Sequence, residues 1–169
     1  DPDLMLGRSV KPSAYFENTG TWFEEVETET KLPGLVISMS AADYNSDGLL
    51  DVYFSTYRLG ALGSGNPGLD EQDQAQNWPE RFLSAAAAEE FRSRYGAETG
   101  GNKEVDFLNQ VGPPNVLMVN QGGGKFQTAS EMNLAVWKNT SQATWSDYDD
   151  DGDPDLYLAN DFSSDHLFR

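Results

Sequence analysis

Asp147-Tyr148-Asp149-Asp150-Asp151-Gly152-Asp153-Pro154-Asp155-Leu156-Tyr157 sets carboxylates at positions 1, 3, 5 and 9 of a short loop, with glycine at position 6. Two unit charges ~4 Å apart repel by roughly 4 kcal/mol at an effective dielectric of 20. A compact loop holding four of them calls for a cation. The donors are all oxygen, with no Cys or His among them. Such hard ligands suit calcium; magnesium takes few protein ligands and demands stricter geometry. The alternative is an acidic turn that holds no metal.

A second copy lies 147 − 43 = 104 residues earlier. Asp43-Tyr44-Asn45-Ser46-Asp47-Gly48-Leu49-Leu50-Asp51-Val52-Tyr53 keeps the pattern at positions 1, 3, 5, 6 and 9 and at both tyrosines. A third, partial copy opens the sequence, where Asp1-Pro2-Asp3-Leu4 repeats Asp153-Pro154-Asp155-Leu156. The flanks repeat as well. Val36 to Ala42 and Ser141 to Ser146 precede the loops as runs of small and apolar residues. Asp51 to Thr56, Asp155 to Asn160 and Asp3 to Gly7 follow as β-rich runs with alternating polarity. Each acidic loop is therefore expected to join two strands.

Further repeated elements complete the unit. Asn115 to Asn120 resembles Ser13 to Asn18 and the terminal Asp165 to Arg169. Asn18-Thr19-Gly20-Thr21-Trp22-Phe23 and Asn120-Gln121-Gly122-Gly123-Gly124-Lys125-Phe126 read as tight turns feeding a strand that starts on an aromatic. One repeat is strand, acidic loop, strand, connector, strand, glycine turn, strand. Four antiparallel strands per unit describe a propeller blade. The reading is all-β: residues 1–30 end one blade, 31–56 with 114–130 form a complete blade, and 131–169 supply most of the next. A closed propeller typically takes four to eight blades, so the chain is read as a segment of a larger one.

Residues 57–113 interrupt the repeat. Gly60 to Gly68 reads as a flexible loop. Asn77-Trp78-Pro79-Glu80 reads as a capping box opening a helix over about 78–95. Phe82, Leu83, Ala86, Ala87, Phe91 and Tyr95 give it an apolar stripe, and Gly96 stops it. Pro113-Pro114 leads back into the blade. Long insertions often carry function, so a lid or partner-binding crest is one reading; Trp78 and Phe82 gluing the helix to the sheets is the other.

Composition bounds the rest. The chain has 169 residues, no cysteine, and a formal charge of −17 from 28 acidic and 11 basic residues. Two calcium ions would bring this to −17 + 4 = −13. Nucleic acid is excluded as a partner, because phosphate binding needs basic clusters. No run approaches the roughly 18 apolar residues of a membrane span. Weak calcium loops work best where calcium is millimolar, which points to an extracellular or periplasmic setting.

An EF-hand would carry Glu at position 12; here that position is Phe54 or Leu158. The loops instead resemble the calcium loops of FG-GAP/VCBS repeats, the blades of integrin-α-type propellers, and the Asn-x-Gly…Phe turns fit the same family. The spacing is similar to that of the cartilage-acidic-protein branch, whose repeats often accompany an ASPIC/UnbV domain. The resemblance covers nearly everything except the insertion. It implies that Asp43, Asn45, Asp47 and Asp51 bind one calcium through side chains, with the carbonyl of Leu49. It implies that Asp147, Asp149, Asp151 and Asp155 bind another, with the carbonyl of Asp153. The second loop, with four carboxylates against three, is expected to bind more tightly.

With every loop carboxylate taken as a ligand, no catalytic residue is assigned. The expectation is a secreted or surface module, a binding or scaffold platform for a protein or glycan, partnered by the remaining blades. The alternative is part of a secreted lyase or hydrolase built on the same repeats. His166 is read as surface or packing, and Trp22, Trp137 and Trp145 as core. Asn139-Thr140-Ser141 is a glycosylation sequon.

Overall fold

The computed structural model describes residues 2–9, 11–57, 85, 86, 89, 90, 93, 111–129, 134–161 and 163–169. Among these the backbone forms eleven strands: β1 (Leu4–Leu6), β2 (Ala14–Asn18), β3 (Phe23–Val26), β4 (Val36–Ala42), β5 (Asp51–Thr56), β6 (Val111–Pro114), β7 (Val116–Asn120), β8 (Phe126–Thr128), β9 (Trp137–Ser146), β10 (Asp155–Asp161) and β11 (His166–Phe168). The fold is all-β. Three antiparallel sheets have the orders β1-β2-β3, β4-β5-β7-β8 and β11-β10-β9-β6. Of the expected helix, residues 85, 86, 89, 90 and 93 have helical backbone, and Ala86 is exposed. Trp78, Phe82, Leu83, Ala87, Phe91, Tyr95 and the flanking glycines lie outside the described residues.

The β2–β3 and β7–β8 connections turn in the same way. The Asn18 and Asn120 side-chain oxygens accept from the Gly20 and Gly122 amides at 2.8 and 2.9 Å. Both glycines have positive φ, 85° and 75°, which a side chain disfavours.

The sheets stack face to face, and the second is covered on both sides. Toward the first sheet it turns Met39, Val52, Phe54, Val116 and Met118. These meet a single row across the first sheet, Met5-Tyr15-Val26. Toward the third it turns Tyr53 and Leu117, which meet Ala143, Leu156 and Leu158. This is why every residue of β5 is buried, although its sequence reads as an alternating, half-buried strand. A fully buried Phe or Leu contributes about 1.5–3 kcal/mol, and Phe54, Leu156 and Leu158 sit at the two sheet junctions.

A buried polar chain locks the second junction. Asn115 Oδ1 accepts from the Thr56 amide at 2.9 Å, and Asn115 Nδ2 donates to Thr140 Oγ1 at 2.6 Å. Thr140 Oγ1 then donates to Asn160 Oδ1 at 2.7 Å. Trp145 packs against the same core, edge-on to Tyr53 with centroids 6.4 Å apart. Trp137 is half-buried. Trp22 is not core: it follows the exposed glycine turn and is 68% exposed.

Residues 111–113, read from sequence as the end of the insertion, and Pro114, read as the start of the complete blade's second part, instead form a strand of the third sheet, pairing Val111 with Lys138 and Pro114 with Trp137. Two prolines cannot donate to a ladder and are tolerated at a sheet edge, which is where β6 lies. Gly112 allows the approach, since a Cβ there would come within 2.3 Å of the Lys138 backbone.

Candidate metal centre

Each acidic loop leaves the end of one strand and returns in the first residue of the next, from β4 to β5 and from β9 to β10. The bonds accepted by positions 1 and 5 match atom for atom. Asp43 Oδ1 and Oδ2 accept from the Asp47 and Gly48 amides, both at 2.9 Å. Asp147 Oδ1 and Oδ2 accept from the Asp151 and Gly152 amides at 3.0 and 3.1 Å. The position-5 carboxylates, Asp47 and Asp151, accept from the Leu49 and Asp153 amides at 2.9 and 3.0 Å. Position 4 is left-handed in both, with φ of 58° at Ser46 and 59° at Asp150. Position 6 requires glycine, with φ of 88° at Gly48 and 97° at Gly152. The first carboxylate thus organises each turn through its amides, and the turn gathers the other acids around it.

In the second loop, Asp147, Asp149 and Asp151 offer carboxylate oxygens all within 4.8 Å of one another, and all three residues are exposed. Asp155 is buried, and its Oδ2 accepts from the Tyr148 amide at 2.6 Å. Asp153 is exposed. Arg169 reaches in from the end of β11, placing Nη1 3.6 Å from Asp149 Oδ2. In the first loop, Asn45 stands where the second has Asp149. Its Oδ1 accepts from the Asp47 amide at 3.1 Å, and its Nδ2 donates to Asp47 Oδ2 at 3.0 Å. One carboxylate of the second loop is therefore replaced here by a neutral donor.

Asp51 completes the first loop. Its Oδ1 accepts from the Asn120 amide at 2.8 Å. Its Oδ2 is buried and accepts no hydrogen bond of ordinary geometry, although the Tyr44 amide also acts on this carboxyl. Burial pushes the Asp51 carboxyl above the usual carboxylate range, the Asn120 and Tyr44 backbone amides pull it back, and the charges of Asp47 and Asp43 push it up again. A buried polar oxygen left unpaired costs about 1–3 kcal/mol.

The first sheet shows how that oxygen is satisfied elsewhere. Asp3 Oδ1 accepts from the Asn18 amide at 2.9 Å, matching Asp51 and Asn120, while its Oδ2 accepts from the Tyr15 hydroxyl at 2.6 Å. Tyr15 lies three residues before Asn18; the residue three before Asn120 is Leu117, which has no hydroxyl to give. The Tyr15 hydroxyl, then the Asn18 amide, hold Asp3 below its ordinary value. Burial, then the Asp3 bond, raise Tyr15 in turn.

A related clip at the other end of the third sheet escaped the sequence reading. The Asn160 amide donates to Asp165 Oδ1 at 2.9 Å, and the Tyr157 hydroxyl to Asp165 Oδ2 at 2.5 Å. The signal was present as a Tyr three residues before an Asn, as in Tyr15 and Asn18. His166 is half-buried, stacked on Phe168 with centroids 6.0 Å apart and 3.0 Å from Asn160 Nδ2. Asn139 and Thr140 are fully buried, so the sequon is not on the folded surface.

No family model matches the chain, and neither does any curated protein or solved structure. No helix among the described residues is long and apolar enough to cross a membrane.

Proposed function

We propose that the chain is a calcium-stabilised set of β-propeller blades of the FG-GAP/VCBS kind, serving as an extracellular binding or scaffold platform for a protein or glycan. The observation that carries this is Asp51 Oδ2, a buried carboxylate oxygen at the base of an acidic loop that accepts no hydrogen bond of ordinary geometry. A cation seated against it turns an unfavourable group into a ligand. Asp43, Asn45, Asp47 and Asp51 with the Leu49 carbonyl would hold one ion. Asp147, Asp149, Asp151 and Asp155 with the Asp153 carbonyl would hold the second. Bound there, calcium neutralises the loop and ties consecutive strands together.

Three stacked sheets with a loop at the same end of the second and third fit adjacent blades, in which β4-β5-β7-β8 and β9-β10-β11 each run from the loop outward and β6 adds to the third beside β9. The sheets supply a rigid platform for a ligand. Thermal unfolding with calcium, with magnesium and with chelator tests the reading. The midpoint should rise with calcium and much less with magnesium, and calorimetry should show two sites. Equal midpoints with calcium and with chelator would overturn it.

A further inference from the structure

We infer that one side chain in each sheet decides how the position-9 aspartate is held: Tyr15 gives Asp3 a hydroxyl in place of a cation, and Leu117 and Leu167 leave Asp51 and Asp155 to the metal. The three positions are equivalent. Tyr15 pairs with Met5, Leu117 with Tyr53 and Leu167 with Tyr157. Met5, Tyr53 and Tyr157 each lie two residues after a position-9 Asp. Side chains two apart on a strand share a face, so each Asp is the diagonal neighbour of Tyr15, Leu117 or Leu167. Diagonal neighbours are about 7–8 Å apart, within reach of an aromatic side chain. Leucine is shorter and carries no donor.

The amide anchor is the same in the first two sheets. Asp3 Oδ1 and Asp51 Oδ1 accept from the Asn18 and Asn120 amides at 2.9 and 2.8 Å. The second oxygen differs. Asp3 Oδ2 accepts from the Tyr15 hydroxyl at 2.6 Å, whereas Asp51 Oδ2 accepts no hydrogen bond of ordinary geometry. The second sheet fixes the Tyr15 ring. Phe126 meets it edge-on with centroids 5.3 Å apart, and Gly124 gives it room, since a Cβ there would come 3.0 Å from Tyr15 Cε1. The hydroxyl proton thus stands against the oxygen that a cation would otherwise use. Asp155 Oδ2 accepts from the Tyr148 amide at 2.6 Å, and Leu167 has no hydroxyl to bring. Asp3 is exposed and Asp51 fully buried, so solvent access also separates the two. Substituting the selector beside an unchanged aspartate removes that difference. This role rests on the calcium reading above and adds to it what sets metal dependence sheet by sheet.

Calorimetric calcium titration of Leu117→Tyr against Leu117→Phe isolates the hydroxyl, because the two rings fill nearly the same space. One of the two sites in L117Y should bind at least about tenfold more weakly than in L117F, the worth of a hydrogen bond to a charged group. The other site should keep its wild-type affinity. In chelator, L117Y should melt above L117F. Leu117 is buried, and a larger side chain there can strain the packing. The same pair is therefore made at Leu167, which is 44% exposed, with circular dichroism to check folding. Leu167→Tyr should weaken one site relative to Leu167→Phe in the same way. Equal affinities for L117Y and L117F, or for L167Y and L167F, in folded protein would overturn the selector role. With wild type still binding two ions, that result spares the calcium reading. A wild type that binds no calcium removes both.

Discussion

The Asn120 amide donates to Asp51 Oδ1 at 2.8 Å, while Asp51 Oδ2 lies buried and accepts no hydrogen bond of ordinary geometry. Asp51→Asn should separate the two oxygens' roles. The folded-state pKa of Asp51 is raised, so its protonated form favours folding. That contribution is present below the unfolded value near 3.8 and lost as pH rises through the folded value. At neutral pH without metal, the neutral amide should make the protein at least as stable as wild type. In calcium the order should reverse, because one charged ligand is gone. Chelator and calcium melts of both proteins measure this, and calcium protecting the variant as well as the wild type would remove Asp51 from the site.

Affinity should differ between the loops. Asp147→Ala should cost more calcium binding than Asp43→Ala, because Asn45 leaves the first loop one carboxylate short. Arg169 stands beside Asp149 in the second loop. An exposed ion pair contributes up to about 1 kcal/mol, so Arg169→Ala should tighten calcium binding there by severalfold at most, and less at high salt. Calorimetric titration of the three variants orders them.

The Tyr157–Asp165 clip should show in acid titration. The Tyr157 hydroxyl, the Asn160 amide and His166 lower the Asp165 pKa below its ordinary value. A depressed carboxylate contributes stability that is present above the unfolded pKa and lost as pH falls through the folded one. Tyr157→Phe should move the Asp165 carboxyl resonance titration upward, toward the ordinary value, and leave that of Asp3 in place. An unmoved Asp165 would mean that the hydroxyl does not reach it in solution.

Two glycines should fail for different reasons. At Gly48 an added Cβ meets nothing within 4 Å, but φ is +88°, so Gly48→Ala should cost about 1 kcal/mol through backbone strain alone. At Gly112 a Cβ meets the Lys138 backbone at 2.3 Å. Gly112→Ala should cost about 1–3 kcal/mol and expose the Lys138–Asn139 backbone to hydrogen exchange. Urea unfolding gives the first comparison, and exchange at β9 the second.

Asn115→Leu keeps the branched shape of the side chain and removes three polar contacts. The Thr56 amide is left buried and unpaired, and Thr140 loses a donor. A loss of about 1–3 kcal/mol per orphaned group should appear in urea unfolding as a lower midpoint. An unchanged midpoint would show that water replaces the Asn115 side chain.

The strand order of the first two sheets and both loops were legible because their signals are local. Asp at fixed spacing, glycine at position 6 and an Asn-x-Gly turn each act within a few residues. What stayed hidden depends on neighbours distant in sequence. The alternation of β5 gives no sign that a third sheet covers its second face. Val111 to Pro114 reads as a connector because its partner, Lys138 to Trp137, lies beyond two intervening strands. Asp51 was legible as position 9 of the acidic repeat. That Leu117 withholds the hydroxyl which Tyr15 gives Asp3 became visible only once the registers were known.

The segment between Tyr57 and Val111 leaves and rejoins the sheets beside itself. Thr56 Oγ1 donates to the Pro113 carbonyl at 3.0 Å, Tyr57 is tied to Leu35 and Asp161, and β6 is zipped to β9. Both ends are held by contacts among the described residues. Loop-closure entropy grows only slowly with length, so this junction is a port for grafting. Peptides or small domains of differing length can be exchanged there while the acidic loops keep their places.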